Sequence, residues 1–474
     1  MEFRFIIVTR ISAVIFLLLA TITPACANGQ ETKPIVSTVE STMASLTVAP
    51  NQHYLAQAGT GQPFFMLADT AWNLDALTDE EIRTYLKSRH SHHFNTIMFC
   101  LNFFPQAAAE NAYNQKAYIG PDSTELNPDY FTHVDRTVSE AADLHLYAML
   151  YAMWGGAKAG TMNTYSLEQL HTIGLRLGQH FRGRSNVILC AGGESTPPYV
   201  DVERVNAIGS GLKEGCDGKN LVVVHPCSNR SSSKSFSDAP WLDVFMSQVK
   251  SGRGGETADM TIYVAQDFLH SPAKPTMVVE HRYEVGTHED PVIQRRSLYL
   301  STFAGGCGYA YGHNALWQMT PHTAQKWMLS GWNPGVARWT DALDTTAVDQ
   351  LHHIIPLLLS RPYFERIPDQ SLILQGQSDE ISARVQAIRD GHWGRPDASY
   401  ILAYMASPKE LVLNTSVIGG KELNLTWFNP ADGKTLPFLH VENRGTLRLP
   451  DPPQAHDWVV IVDDASRDYA APRE

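Results

Sequence analysis

Two glutamates stand at the ends of apolar runs, where a fold could bring them together. Glu194 follows Val187-Ile188-Leu189-Cys190 through Gly192-Gly193, and Glu280 directly follows Thr276-Met277-Val278-Val279. Hydrolysis of the acetal joining two sugars needs such a pair. One carboxylic acid protonates the leaving oxygen, and one carboxylate attacks the anomeric carbon or activates water. The other apolar runs are followed by side chains suited to sugars. Asp69 and Trp72 come after Phe64-Phe65-Met66-Leu67-Ala68, Asn102 after Thr96-Ile97-Met98-Phe99, Trp154 after the run 146–151, and His225 after 221–224. Gln248 ends the stretch from Asp243, Tyr283 stands three residues past Glu280, and Tyr311, His313 and Trp317 close the series after Gly308-Tyr309-Ala310. Aromatic rings cover the apolar faces of sugars, while Asp, Asn, Gln and His hydrogen-bond hydroxyls.

Each of these residues has a plainer reading. A lone glutamate at a strand end is commonly a rim ion pair, and Arg282 and Lys274 are the candidate partners for Glu280. The paired placement is what favours chemistry. Glu284, four residues past Glu280, is the second choice for nucleophile. Asp69 reads equally as a sugar ligand or as a brace for the loop carrying Trp72. Trp72 and Trp458 read as core aromatics more readily than Trp154 and Trp317, which stand beside Gly, His and Asn.

The elements that must position these groups are legible. Eight apolar runs alternate with helical patterns. Thr78 with Glu81, and Ser166 with Gln169, have the spacing of capping boxes, and Pro128 opens a helix over 127–144. Near-continuous Val/Ile/Leu runs are strands buried on both faces. Eight such units predict a (β/α)8 TIM barrel over 46–364, an α/β fold whose active site lies at the C-terminal ends of its strands. Glu194 and Glu280 then end strands four and seven, facing each other across the mouth. Carboxyl groups about 5–5.5 Å apart retain anomeric configuration, and about 6.5–9.5 Å apart invert it. A doubly wound sheet is the alternative, but no Gly-rich phosphate loop follows an early strand. The segment 341–362 reads as the last barrel helix. Beyond it, short strands with alternating polarity and the turns Asn429-Pro430 and Asp432-Gly433 predict a small antiparallel β-sandwich over 365–474.

Composition narrows the function class. With 37 basic and 49 acidic residues the net charge is −12, which argues against a nucleic-acid ligand or a polybasic membrane surface. Arg4 and Arg10, an apolar run and Ala25-Cys26-Ala27 read as a secretory signal over 1–27, followed by a flexible polar leader over 28–45. The expected location is secreted or periplasmic, with no membrane contact unless Cys26 carries lipid. The 6 cysteines contain no C-x-x-C pair. Cys100, Cys190 and Cys307 read as core thiols, and a Cys216–Cys227 bridge is an option in an oxidising compartment. His90, His92 and His93 read as a solvated helix end on the rim away from catalysis, and neither they nor the pair His352 and His353 read as metal ligands. H-E-x-x-H and G-x-S-x-G are absent, and the chemistry expected here needs neither metal nor cofactor. Two other classes stay open: a non-catalytic carbohydrate-binding or scaffold barrel, and a metal-assisted hydrolase. Oligomeric state is not legible.

The segments Phe65-Met66-Leu67-Ala68-Asp69-Thr70-Ala71-Trp72, Gly192-Gly193-Glu194, Val279-Glu280-His281-Arg282-Tyr283-Glu284 and Gly308-Tyr309-Ala310-Tyr311-Gly312-His313-Asn314 together resemble the apiosidase-like glycoside hydrolases. His225-Pro226 and Trp241-Leu242-Asp243 fit the same pattern. The tail, with Trp427-Phe428-Asn429-Pro430, Gly433 and Asp457-Trp458-Val459, is similar to the β domain named for collagen binding that often follows. The resemblance spans roughly 50–465. It implies a secreted or periplasmic bacterial enzyme that releases apiose from pectic side chains, with Glu280 as nucleophile and Glu194 as acid/base. The family often has Asp at the position of Glu194, and one extra methylene moves a carboxyl by ~1.5 Å.

Overall fold

A computed structural model describes residues 43–101, 110–156, 161–249, 259–285, 288–319 and 338–473. The predicted signal over 1–27 and most of the predicted leader lie outside the described residues. Each of the eight apolar runs contains a strand: β1 Met66–Thr70, β2 Thr96–Cys100, β3 Tyr147–Tyr151, β4 Val187–Cys190, β5 Val222–Val223, β6 Phe245–Gln248, β7 Thr276–Glu280 and β8 Gly308–Tyr311. They pair in parallel in the order β5-β4-β3-β2-β1-β8-β7-β6. A parallel bridge between Val223 and Val244 joins the two ends, closing a TIM barrel. Every residue of β1 to β4 is buried, because side chains alternate between the barrel interior and the helical layer.

The helices start where their caps say. α1, Asp79–Ser91, has the Thr78–Glu81 capping box, with the Thr78 N–H donating to Glu81 Oε2 at 2.9 Å. α2 is Pro128–Asp143, capped by Asn127, and α3 is Leu167–Phe181, with the Ser166–Gln169 box. α4 Val202–Gly215, α5 Ser233–Phe236, α6 Met260–Phe268 and α7 Val292–Phe303 follow. The helix expected over 341–362 is broken into Thr346–Leu351 and Ile354–Leu359. Pro356 has no N–H to return to the His352 carbonyl, so the helical ladder fails there. A three-strand antiparallel sheet, Leu46–Val48, Leu55–Gln57 and Pro63–Phe64, precedes the barrel.

The C-terminal strands are β9 Ile367–Pro368, β10 Ile373–Gln375, β11 Val385–Arg389, β12 Tyr400–Met405, β13 Val412–Asn414, β14 Glu422–Phe428, β15 Thr435–Glu442, β16 Thr446–Arg448 and β17 Trp458–Asp464. They form a six-strand antiparallel sheet, β9-β11-β12-β17-β14-β15, and a three-strand sheet, β10-β13-β16. Period-2 alternation sorts the larger sheet's faces. Tyr400, Leu402 and Tyr404 join the barrel's core, whereas Ile401, Ala403 and Met405 join the core shared with the small sheet. The Arg295 guanidinium of α7 forks onto buried Asp457, which also accepts from Tyr404 at 3.1 Å, so the two domains are tied through a desolvated ion pair. Among the described residues no helix is long and apolar enough to cross a membrane.

Cys216 and Cys227 are both free and buried. The optional bridge between them does not form, because Cys216 caps the end of α4 before β5 while Cys227 lies beyond the other end of β5. His92 is not a solvated helix end. Its ring sits between Asp344 and Asp349 at 2.8 and 2.7 Å, fastening α1 to the start of the last barrel helix.

Candidate active site

β4 ends at Cys190, and the chain turns through Gly192-Gly193 into Glu194, which takes a left-handed backbone with φ +45°. A non-glycine residue there is strained by about 1–3 kcal/mol and persists only when its surroundings hold it. The holding bonds come from the loop after β5. The Ser195 N–H donates to the His225 carbonyl at 3.0 Å, and the Cys227 thiol lies 3.1 Å from the Glu194 carbonyl and 3.0 Å from the Thr196 carbonyl, with one proton to share between them. On the other side the chain after β3 packs against the side chain. A Cβ at Gly156 would stand 2.3 Å from Glu194 Oε2 and 2.8 Å from Trp154 Nε1, so only glycine admits the carboxyl beside that indole.

Glu280 is the last residue of β7 and is half-buried. Its Oε2 lies 3.4 Å from Nε2 of His225, whose side chain is fully buried. Burial pushes the His225 imidazole down to about 3, so it is neutral at physiological pH. Gln248, the register partner of Glu280, is also buried. Three aromatic rings enclose His225: Trp72 and Trp154 at 5.6 Å and Tyr151 at 5.8 Å. Tyr283 completes the wall, accepting a bond from Trp72 Nε1 at 2.8 Å. Burial raises the pKa of its phenol well above the ordinary value, and Glu280 and Glu194 both add to the rise. Both carboxylates therefore sit within electrostatic reach of one hydroxyl. Trp317 extends the aromatic surface, its ring 6.4 Å from Tyr283, with Nε1 donating to Asn314 at 3.3 Å.

Gly312 makes the Tyr283 placement possible, because a Cβ there would stand 1.9 Å from two carbons of the ring. Gly312→Ala is expected to push Tyr283 out of place and break its bond to Trp72, lowering kcat/KM by about 10–100-fold. Steady-state kinetics with a thermal melt check this. Unchanged kinetics in a folded variant would remove Tyr283 from the site.

Several expected sugar ligands have other work. Asp69 points out of the barrel and is fully buried, accepting from Tyr85 at 2.8 Å and pairing with Arg89 at 3.2 Å. It is the brace rather than the ligand, because β1 turns this side chain toward α1. Tyr311 likewise faces outward, donating to Glu284 at 2.6 Å, and Thr345 donates to the same oxygen at 2.9 Å. Glu284 is thus a buried anchor, its pKa raised by desolvation, and Glu280 is the carboxylate left at the mouth. His313 Nδ1 accepts from the Ala315 N–H at 3.0 Å, capping the short helix Asn314–Gln318. His225 is fully buried and Gln248 nearly so. Asn102 lies outside the described residues. Neither expected rim partner engages Glu280: Arg282 pairs with Glu289, and Lys274 donates to the Leu242 carbonyl at 2.6 Å.

Arg89→Met is expected to leave Asp69 buried without its cation and to destabilise the fold by about 3–5 kcal/mol. Urea unfolding measures this, and a loss under about 1 kcal/mol would show that the pair carries little of the β1–α1 contact.

Tyr151 and Cys227 belong to the site and were not singled out from the sequence. Tyr151 ends β3, so the rule that selected Gln248 at the end of β6 selects it too. Nothing in the sequence marks a thiol as the partner of the Glu194 carbonyl.

The model of the apiosidase-like catalytic domain matches residues 49–365, about two-thirds of the chain. The chain belongs to the apiosidase-like family. A second model, described as "Putative collagen-binding domain of a collagenase", matches residues 367–463. Among solved structures, one named as a glycoside hydrolase aligns with a TM-score of 0.78 at 25% identity, covering 90% of this chain and 98% of that one. A glycoside hydrolase family 5 protein from Bacteroides vulgatus shares the fold with a TM-score of 0.77 at 24% identity, covering 91% and 95%. No curated protein matches. Family and fold are therefore those of glycoside hydrolases, and the mouth of this apiosidase-like barrel is the candidate active site.

Proposed function

We propose that the protein is a retaining glycoside hydrolase, secreted or periplasmic, that cleaves glycosidic bonds in side chains of plant polysaccharides, with the apiose-bearing side chains of pectin as its substrate class. The observation that carries this reading is the placement of Glu194 beside the Trp154 indole and of Glu280 beside His225, two rings 5.6 Å apart in one aromatic-walled mouth. In the proposed reaction Glu194 donates its proton to the leaving oxygen while Glu280 attacks the anomeric carbon, breaking the glycosidic bond and forming a glycosyl ester. Glu194, now a carboxylate, takes a proton from water, whose hydroxyl displaces Glu280 and releases the sugar. Trp72, Trp154 and Trp317 supply apolar surface for the ring faces. The family supports the apiosyl specificity, and the signal-like first 27 residues support export.

The test is a panel of defined pectic oligosaccharides, with product anomers followed by NMR from the first turnover. Release of apiose with retained configuration is expected. Initial release of the opposite anomer would replace nucleophilic attack with base-activated water. Binding without turnover across the panel would favour the carbohydrate-binding reading.

A further inference from the structure

His225 touches both halves of the site, and its side chain is buried between them. Its side chain is 0% exposed and enclosed by Trp72, Trp154 and Tyr151. Its backbone belongs to the Glu194 side: the His225 N–H donates to the Gly192 carbonyl at 3.1 Å, and its own carbonyl accepts from Ser195 at 3.0 Å. Its ring belongs to the Glu280 side, with Nε2 3.4 Å from Oε2. The contact is longer than an ideal hydrogen bond. Catalytic hydrogen bonds in substrate-free enzymes are often long and tighten on binding.

We propose that His225 is a positioning residue for Glu280, fixing the carboxylate's rotamer through Nε2 while its backbone holds the loop that carries Glu194. This rests on the reading of Glu280 as nucleophile. The groups facing the ring are Glu280 from β7, Gln248 from β6, Tyr151 from β3, and Trp72 and Trp154 from the loops after β1 and β3. Among the described residues, Glu280 is the charged side chain that faces the ring. A neutral imidazole suits the role. It donates one N–H to the carboxylate without forming an ion pair that would hold Glu280 too tightly to attack. A hydrogen bond from a neutral donor favours the ionised form of a carboxyl, which is the form that attacks.

The experiment compares His225→Ala, His225→Gln and Glu280→Ala with the full-length enzyme. His225→Ala is expected to lower kcat about 10–100-fold with KM within about threefold. The acid limb of its kcat/KM profile should move to higher pH by roughly one unit. In His225→Gln the amide nitrogen can stand where Nε2 stood, and it is expected to recover most of the loss. If His225→Ala does not fold, His225→Asn replaces it, keeping polarity but not reach. A raised KM with kcat intact, or wild-type kinetics, overturns the proposal. An active Glu280→Ala instead overturns the parent reading. A measurement without substrate separates the two: 15N NMR of the His225 ring should show a neutral tautomer protonated at Nε2, with that signal shifted by Glu280→Gln. An Nε2 signal indifferent to Glu280→Gln overturns the positioning role whatever the activity.

Discussion

Glu280→Ala is expected to lower kcat on an accepted glycoside by about 10⁴-fold or more, about 5.5 kcal/mol of lost transition-state stabilisation. The size follows from the role proposed for this residue. Without the carboxylate no glycosyl ester forms, and the remaining groups offer only positioning and a proton. Glu280 ends β7 just past a register shift in its pairing with β6, and its side chain carries no part of the core, so the variant should fold and still bind substrate. A small anion such as azide can enter the space left by the carboxylate and attack the same carbon. Partial rescue by azide, with a glycosyl azide of inverted configuration seen by NMR, is the expected signature. Retention of more than a tenth of wild-type kcat would remove Glu280 from the chemistry. The buried Glu284 could not take its place without leaving Tyr311 and Thr345.

Glu194→Gln should show a different pattern, because an acid matters in proportion to how poorly the leaving group departs unaided. On a natural sugar leaving group the loss is expected to be about 10²–10⁴-fold. On an aryl glycoside whose phenolate leaves readily, bond cleavage should fall much less, and the glycosyl ester should accumulate because its hydrolysis needs the base. Pre-steady-state release of the aryl group with mass spectrometry of the protein reads both effects. Equal losses on both substrates would argue against an acid at this position. Gln is the informative replacement because it keeps side-chain size at a residue held left-handed by Ser195 and Cys227.

The elements differed in how much of them could be read from the chain. The barrel strands were legible because a parallel strand buried on both faces is written as an unbroken apolar run. Helix starts were legible where Thr78 and Ser166 met Glu81 and Gln169, since a capping box is a local device. β15 was not, because Pro437 sits inside its apolar run and this edge strand leaves Leu436 and Leu439 exposed, without the alternation of a half-buried strand. The strand-end rule brought out Glu194, Glu280, Trp72, Trp154 and Tyr283, which share one mouth. It also swept in Asp69 and Tyr311, which stand at strand ends but face outward. Proximity to a strand end selects the right rim, and only pleat parity and the helix opposite decide inside from outside.

Residue types and their order along the chain were enough to determine an alternating barrel, a trailing β domain and two glutamates at the ends of opposed strands. The tertiary structure alone decided which carboxylates stay at the mouth and which are spent as anchors. Hydrogen-bond partners such as Arg89 for Asp69, and Tyr311 and Thr345 for Glu284, are recruited from distant elements. Sequence spacing carries no record of where closing the barrel will place them.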